Sequence, residues 1–216
     1  MLGSESSKFG FLERIGRVLL APKEQIRQII HEQRTVLEPV LLACLVAGVL
    51  GALSAAATVG ILSSFMGFFS AFSPQFAGGV PSIFVAGGAI AGVSSVLIDG
   101  MLVAAIMHLA AKVLGGQGFY LEAVRAVFYS FLPYGFLAIP LAFTVFAPLP
   151  AIILASGLGT LAFVWQLYVL FESIREIYGT SGGKTLAVLL SPLVVALVIA
   201  ALALVAAYAA SGGATV

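Results

Sequence analysis

Long apolar stretches alternate along this chain with short segments that hold all of its charge. A bilayer's hydrocarbon core is ~30 Å thick and takes ~20 helical residues to cross. Five stretches meet that length, at residues 39–59, 85–111, 123–146, 151–171 and 185–210. The segment ahead of them follows another pattern. Leu12, Ile15, Val18 and Leu19 share one helical face, while Lys8, Glu13, Arg14 and Arg17 fill the other. Pro22 suits the first turn of a second such helix, with Ile26, Ile29 and Ile30 as its apolar side. Amphipathic helices of this kind lie on a membrane surface with basic residues toward anionic headgroups. The pattern therefore predicts surface helices over 1–35, a five-span membrane domain over 36–210 and a short tail over 211–216.

One apolar stretch resists this division. In residues 61–78, Phe65, Phe69, Phe72 and Phe76 recur at helical spacing, Ser63, Ser64, Ser70 and Ser73 supply polar positions, and Ser73-Pro74 tends to break a helix. A short interfacial helix in the outer leaflet is expected there. A sixth span would leave almost no turn after Val59.

Charge then sets orientation. Segments 1–38, 112–125 and 172–184 hold all ten Lys and Arg residues, whereas 60–81, 147–150 and 211–216 carry no charge. With five spans the two sets alternate. The positive-inside rule predicts a cytosolic N-terminus and a C-terminus on the opposite side of the cell membrane. Composition agrees: 61% of residues are hydrophobic and 9% are charged, against about 25% charged in a soluble domain. The mean hydropathy is +1.15. A net charge of +1 leaves no nucleic-acid footprint. Cys44 is the single cysteine, so no disulfide forms within the chain. The first 35 residues are too polar and charged for a secretory signal peptide.

Few residues could carry chemistry. Asp99 is the only Asp and falls inside span two, thirteen residues before Lys112, or ~20 Å below that end of the span. An intramembrane carboxyl is a functional candidate by default. It continues a stripe with Gly88, Gly92 and Ser95, and small residues permit close helix packing. Asp99 is therefore expected to face a neighbouring helix, either in a proton or ion relay or as a neutral acid bonded between helices. Tyr134 and Thr160 are expected at similar depth, ~14 and ~18 Å in. Pro133 and Pro140 in span three free the carbonyls of Tyr129 and Phe136, which then need partners or line a cavity. His108 lies on the face opposite Asp99 and near Lys112, which suits an interfacial contact. Glu38, just before Pro39, complements a helix dipole. Glu172, Arg175 and Glu176 read as a solvated or paired helix end.

Enzyme classes fail by inventory. One Asp cannot form an aspartyl dyad. Two His and one Cys on separate elements are too few for a metal site. No nucleophile–base pair has suitable spacing, and Gly182-Gly183-Lys184-Thr185 lacks the first glycine of a phosphate loop. The chain reads as a non-enzyme without a cofactor.

The middle of the chain resembles a known family. Leu114-Gly115-Gly116, then Glu122-Ala123-Val124-Arg125, then Tyr129-Ser130-Phe131-Leu132-Pro133-Tyr134 are similar to the third-helix signature of the Yip (Ypt-interacting protein) family. Leu37-Glu38-Pro39 resembles the acidic-then-proline start of that family's first helix. The resemblance covers roughly residues 20–210 and is to the short, prokaryotic-type members. The fuller Asp-Leu-Tyr-Gly-Pro motif of eukaryotic members is absent. Those relatives work in ER–Golgi trafficking and contact Rab-type GTPases. The resemblance implies an all-α bundle of five transmembrane helices and no reaction.

Two functions follow as expectations. The first is a non-enzymatic scaffold that organises membrane or recruits partners through residues 8–34 and the 112–125 loop, with Arg14, Arg17, Glu38, Glu122 and Arg125 as contact residues. Its partners would be membrane lipids, membrane or cytosolic proteins and a second copy of the chain. Gly48, Gly51, Gly88, Gly92, Ala155 and Gly159 would pack the bundle. The second is a transporter or channel for a small solute, proton or ion, with Asp99, Tyr134, Thr160, Tyr129 and Pro133 around its polar site. An odd number of spans and no visible repeat count against a common carrier fold.

Overall fold

The computed structural model describes residues 36–70, 83–144 and 146–211. The expected surface helices, with Arg14 and Arg17, lie outside the described residues, as does the 71–78 part of the Phe-rich stretch. Among the described residues all regular structure is helical. The elements are α1 (Leu37–Ser70), α2 (Ile83–Val113), α3 (Tyr120–Ser130), a 3-10 segment (Leu132–Leu137), α4 (Ala138–Phe143), α5 (Pro148–Tyr178) and α6 (Gly182–Ser211). Five segments are long and apolar enough to cross a membrane: Leu37–Ile61, Ile83–Val113, Tyr120–Phe143, Leu149–Tyr178 and Gly182–Ala210. The third is assembled from α3, the 3-10 segment and α4.

Helix α1 differs from expectation at its far end. It runs unbroken through Gly60 to Ser70, so residues 61–70 continue the same helix past the apolar segment that ends at Ile61. No proline occurs between Pro39 and Pro74 to stop it, and a single glycine costs a helix only about 1 kcal/mol.

Glycines set the contact between α1 and α2. A Cβ on Gly51 would strike the Gly88 carbonyl, one on Gly88 would strike Gly51 and Ala55, and one on Gly92 would strike the Ala47 carbonyl. The two backbones thus touch directly, which apolar helices in lipid exploit because packing, not water exclusion, drives their association. The pairs Gly51–Gly88 and Ala47–Gly92 also fix an antiparallel register. Continued, it sets Ala43 opposite Val96 and Val40 opposite Asp99. Beyond that level α2 runs on past the start of α1 for roughly ten residues, or about 15 Å.

The charged end of the bundle is braced. Helix α2 ends at Gly115 (φ 87°) and α5 at Gly179 (φ 61°), both left-handed conformations that favour glycine. The loop between α2 and α3 lies on the end of α5, where a Cβ on Gly116 or Gly118 would meet Tyr178 or Ile177. Lys184 Nζ donates to the Leu114 carbonyl at 2.9 Å, tying α6 to α2. The Thr180 and Thr185 hydroxyls bond each other at 2.8 Å. His108 Nδ1 and the Tyr178 hydroxyl share a hydrogen bond of 2.7 Å, and the His108 ring meets Tyr120 edge-on. The interfacial histidine thus joins α2, α3 and α5. Phe128, Met107, Ile174, Val124 and Val188 fill the core between these helices. Gly100 makes room for the Phe128 ring, which would lie 2.9 Å from an added Cβ. By contrast, residues 193–210 of α6 are exposed all round, as suits a helix surrounded by lipid.

Candidate functional site

Asp99 stands on α2 at the rim of a cavity between α1, α2 and the start of the 3-10 segment. The cavity measures about 230 Å³, and its walls include Ala43, Leu50, Gly92, Ser95, Phe131 and Tyr134. The Ser95 hydroxyl donates to Asp99 Oδ2 at 2.7 Å. Oδ1 has no partner among the described residues. The walls are otherwise apolar.

Asp99 was expected against a neighbouring helix and far from either surface. Its side chain is exposed and lines the cavity beside α1. Gly88 and Gly92 of the same stripe do touch α1, but Asp99 lies level with Val40, only three residues inside the start of α1. Measured on α1 it is ~5 Å in; measured on α2 it is ~20 Å from Lys112. The two depths differ because the helices are staggered. Leu50 and Gly92 mark the deeper wall of the cavity, ~10 Å further from the charged end.

Tyr134 joins Asp99 at this cavity, but its hydroxyl points away and donates to Gln166 Oε1 of α5 at 2.9 Å. Gln166 Nε2 in turn donates to the Ser130 hydroxyl at 3.3 Å, and that hydroxyl donates to the Val127 carbonyl at 2.6 Å. This chain of bonds crosses the break in the third span, where Ser130 is buried. Pro133 is also buried, at the first positions of the 3-10 segment. It cannot continue α3, so the chain tightens to i→i+3 bonding, with the Tyr134 N–H donating to the Phe131 carbonyl at 3.1 Å. Tyr129 is half-buried on α3.

Thr160 is not part of this group. It is exposed on α5, and its hydroxyl donates to the Ser156 carbonyl of its own helix at 3.0 Å. Gln166 is the functional side chain that sequence reasoning missed. It is the only Gln inside any of the five apolar stretches, and a lone amide there needs partners.

The residues expected to make contacts at the charged end have separate roles. Glu122 accepts the Phe119 backbone N–H at 2.8 Å and so caps α3, where its charge also suits the helix dipole. Arg125, one turn on, is half-buried, and its Nε is sealed without a hydrogen-bond partner among the described residues. Glu38 is half-buried in the first turn of α1. Among the described residues no three His, Cys, Asp or Glu side chains cluster as a metal site would require.

No curated protein and no solved structure matches this chain significantly. The sequence pattern of the Yip1 domain matches residues 16–205, a range that takes in four of the apolar segments whole, most of the fifth, the Asp99 cavity and the braced end. This match over most of the chain leads to one assignment: the protein belongs to the Yip1 domain family of membrane proteins.

Proposed function

We propose that this protein is a non-enzymatic membrane scaffold that recruits protein partners at its charged end, which faces the cytosol under the positive-inside rule. The observation that carries this reading is the surface on the braced loop. Val113, Phe119 and Leu121 are 86, 72 and 55% exposed, and they stand beside Lys112, Glu122 and Arg125 on a backbone held by α5 and α6. Large apolar side chains ringed by charge and fixed on a rigid support suit a partner better than a lipid tail. Lipid contact belongs to the apolar sides of the bundle.

A transport reading draws support from the Asp99 cavity. It is the weaker of the two because the Tyr134 and Thr160 hydroxyls are each engaged elsewhere, which leaves Ser95 and Asp99 as an isolated polar pair. A photoreactive phenylalanine analogue at position 119 tests the scaffold. A discrete protein adduct in cells that Arg125→Glu abolishes is expected, against lipid adducts alone from the same analogue at Ile153. Lipid-only adducts at position 119, or Asp99-dependent solute flux through reconstituted vesicles, would overturn it.

A further inference from the structure

We infer that the Asp99 cavity is a binding site for a primary ammonium group carried on an apolar chain, with Asp99 and Ser95 taking the ammonium and the space toward Leu50 and Gly92 taking the chain. This goes beyond the scaffold reading and does not depend on it.

Three observations carry it. The first is polarity. Ser95 and Asp99 supply the polar rim, and the remaining walls, built from α1 residues between Ala43 and Leu50 with Gly92, Val96 and Phe131, are apolar. A ligand must therefore be polar at one end alone. The second is acceptor supply. Asp99 Oδ2 accepts from Ser95, Oδ1 is free to accept, and the Tyr134 hydroxyl has spent its proton on Gln166. The rim offers acceptors, so the polar end must bring donors, and beside a carboxylate a charged donor binds about twice as strongly as a neutral one. The third is depth. The cavity extends from Asp99 away from the charged end, toward Gly92 and Leu50. An amphiphile lying along the bilayer presents its headgroup and chain in that order.

Among the described residues no Lys or Arg lines the cavity. No Lys or Arg occurs between Arg34 and Lys112, between Arg125 and Arg175 or after Lys184. Lys112 and Lys184 stand at the far end of the α2 overhang, where Lys184 is bonded to Leu114. The ammonium of this proposal belongs to a ligand, either a single-chain amine or the headgroup of an ethanolamine lipid.

The test uses the full chain in phosphatidylcholine nanodiscs and a decylamine probe with a diazirine on its chain. Saturable labelling of peptides holding Val46, Leu50 or Phe131 is expected. Unlabelled decylamine should displace the probe at least tenfold better than decanol, and Asp99→Asn should weaken labelling to a similar degree. That variant keeps the shape of the side chain and can still bond to Ser95, so the fold should be kept; Ser95→Ala, which removes the lesser of the two polar groups, should weaken labelling less than Asp99→Asn. Adding phosphatidylethanolamine separates the two sources: suppressed labelling assigns the site to the lipid headgroup, and persistent labelling assigns it to single-chain amines. Equal displacement by decanol, wild-type labelling of Asp99→Asn, or adducts confined to the exposed half of α6 would overturn the proposal.

Discussion

The Tyr134 hydroxyl donates to Gln166 Oε1 at 2.9 Å, so the ring that lines the Asp99 cavity is held from behind by α5. The same amide donates to Ser130, on the other side of the helix break at Pro133. One side chain thus stabilises both edges of the irregular backbone in span three. In an apolar medium, where broken backbone needs protein partners, such a bridge fixes the angle at which α3 and α4 meet.

Gln166→Leu should therefore destabilise the fold by about 1 kcal/mol, the usual size of an interhelical hydrogen bond in a membrane. A double-mutant cycle with Tyr134→Phe, measured by reversible unfolding in mixed micelles, should give a positive coupling energy. Additive effects would show that the bond contributes nothing to stability.

The α1–α2 contact makes a sharper forecast. Gly51→Val and Gly88→Val each place side-chain atoms against a facing backbone that cannot rotate away. Overpacking of this kind costs about 1–3 kcal/mol, and both variants should fall at the upper end. Gly87→Ala is the control. Nothing lies within 4 Å of a Cβ there, so this variant should be neutral or stabilising by up to about 1 kcal/mol through lower backbone entropy in the unfolded chain. Thermal denaturation of the three variants side by side would check the order.

Loosening the charged end should be visible locally. Tyr178→Phe removes the hydroxyl bonded to His108 and should cost about 1 kcal/mol. The loop over 114–119 rests on that end of α5, and the Gln117 N–H bonds the Tyr178 carbonyl. Hydrogen exchange of this loop should speed up while α1 stays unchanged. Faster exchange throughout the molecule would mean the bond supports the whole fold instead.

Orientation can be read with cysteines. In a Cys44→Ala background, Ala147→Cys should react with an impermeant maleimide on intact cells, because Ala147 is exposed at the uncharged end. Ser181→Cys, exposed at the charged end, should react only after permeabilisation. The reverse pattern would invert the topology.

The number of spans was legible in the sequence because each apolar run is longer than a bilayer requires and is bounded by charge or by proline. The touching face of α2 was legible too, since Gly88 and Gly92 recur at one helical turn. The Gln166 bridge was not, because its partners depend on how α5 is rotated about its axis, and nothing in a uniformly apolar run reports rotation. The exposure of Asp99 was hidden for a different reason. Which neighbour covers a side chain depends on the register of α1 against α2, and helical periodicity does not set register.

That stagger also bears on the lipid around the protein. The register overlaps residues 37–56 of α1 with 83–102 of α2, roughly twenty residues apiece, or about 30 Å, which is the thickness of a bilayer's hydrocarbon core. In a bilayer centred on this overlap, the overhangs, α2 on the charged side and α1 on the other, would extend into opposite headgroup layers. A thinner bilayer would expose apolar overhang, and a thicker one would draw His108 into hydrocarbon, so sliding α1 against α2 would tune the protein to a different membrane thickness.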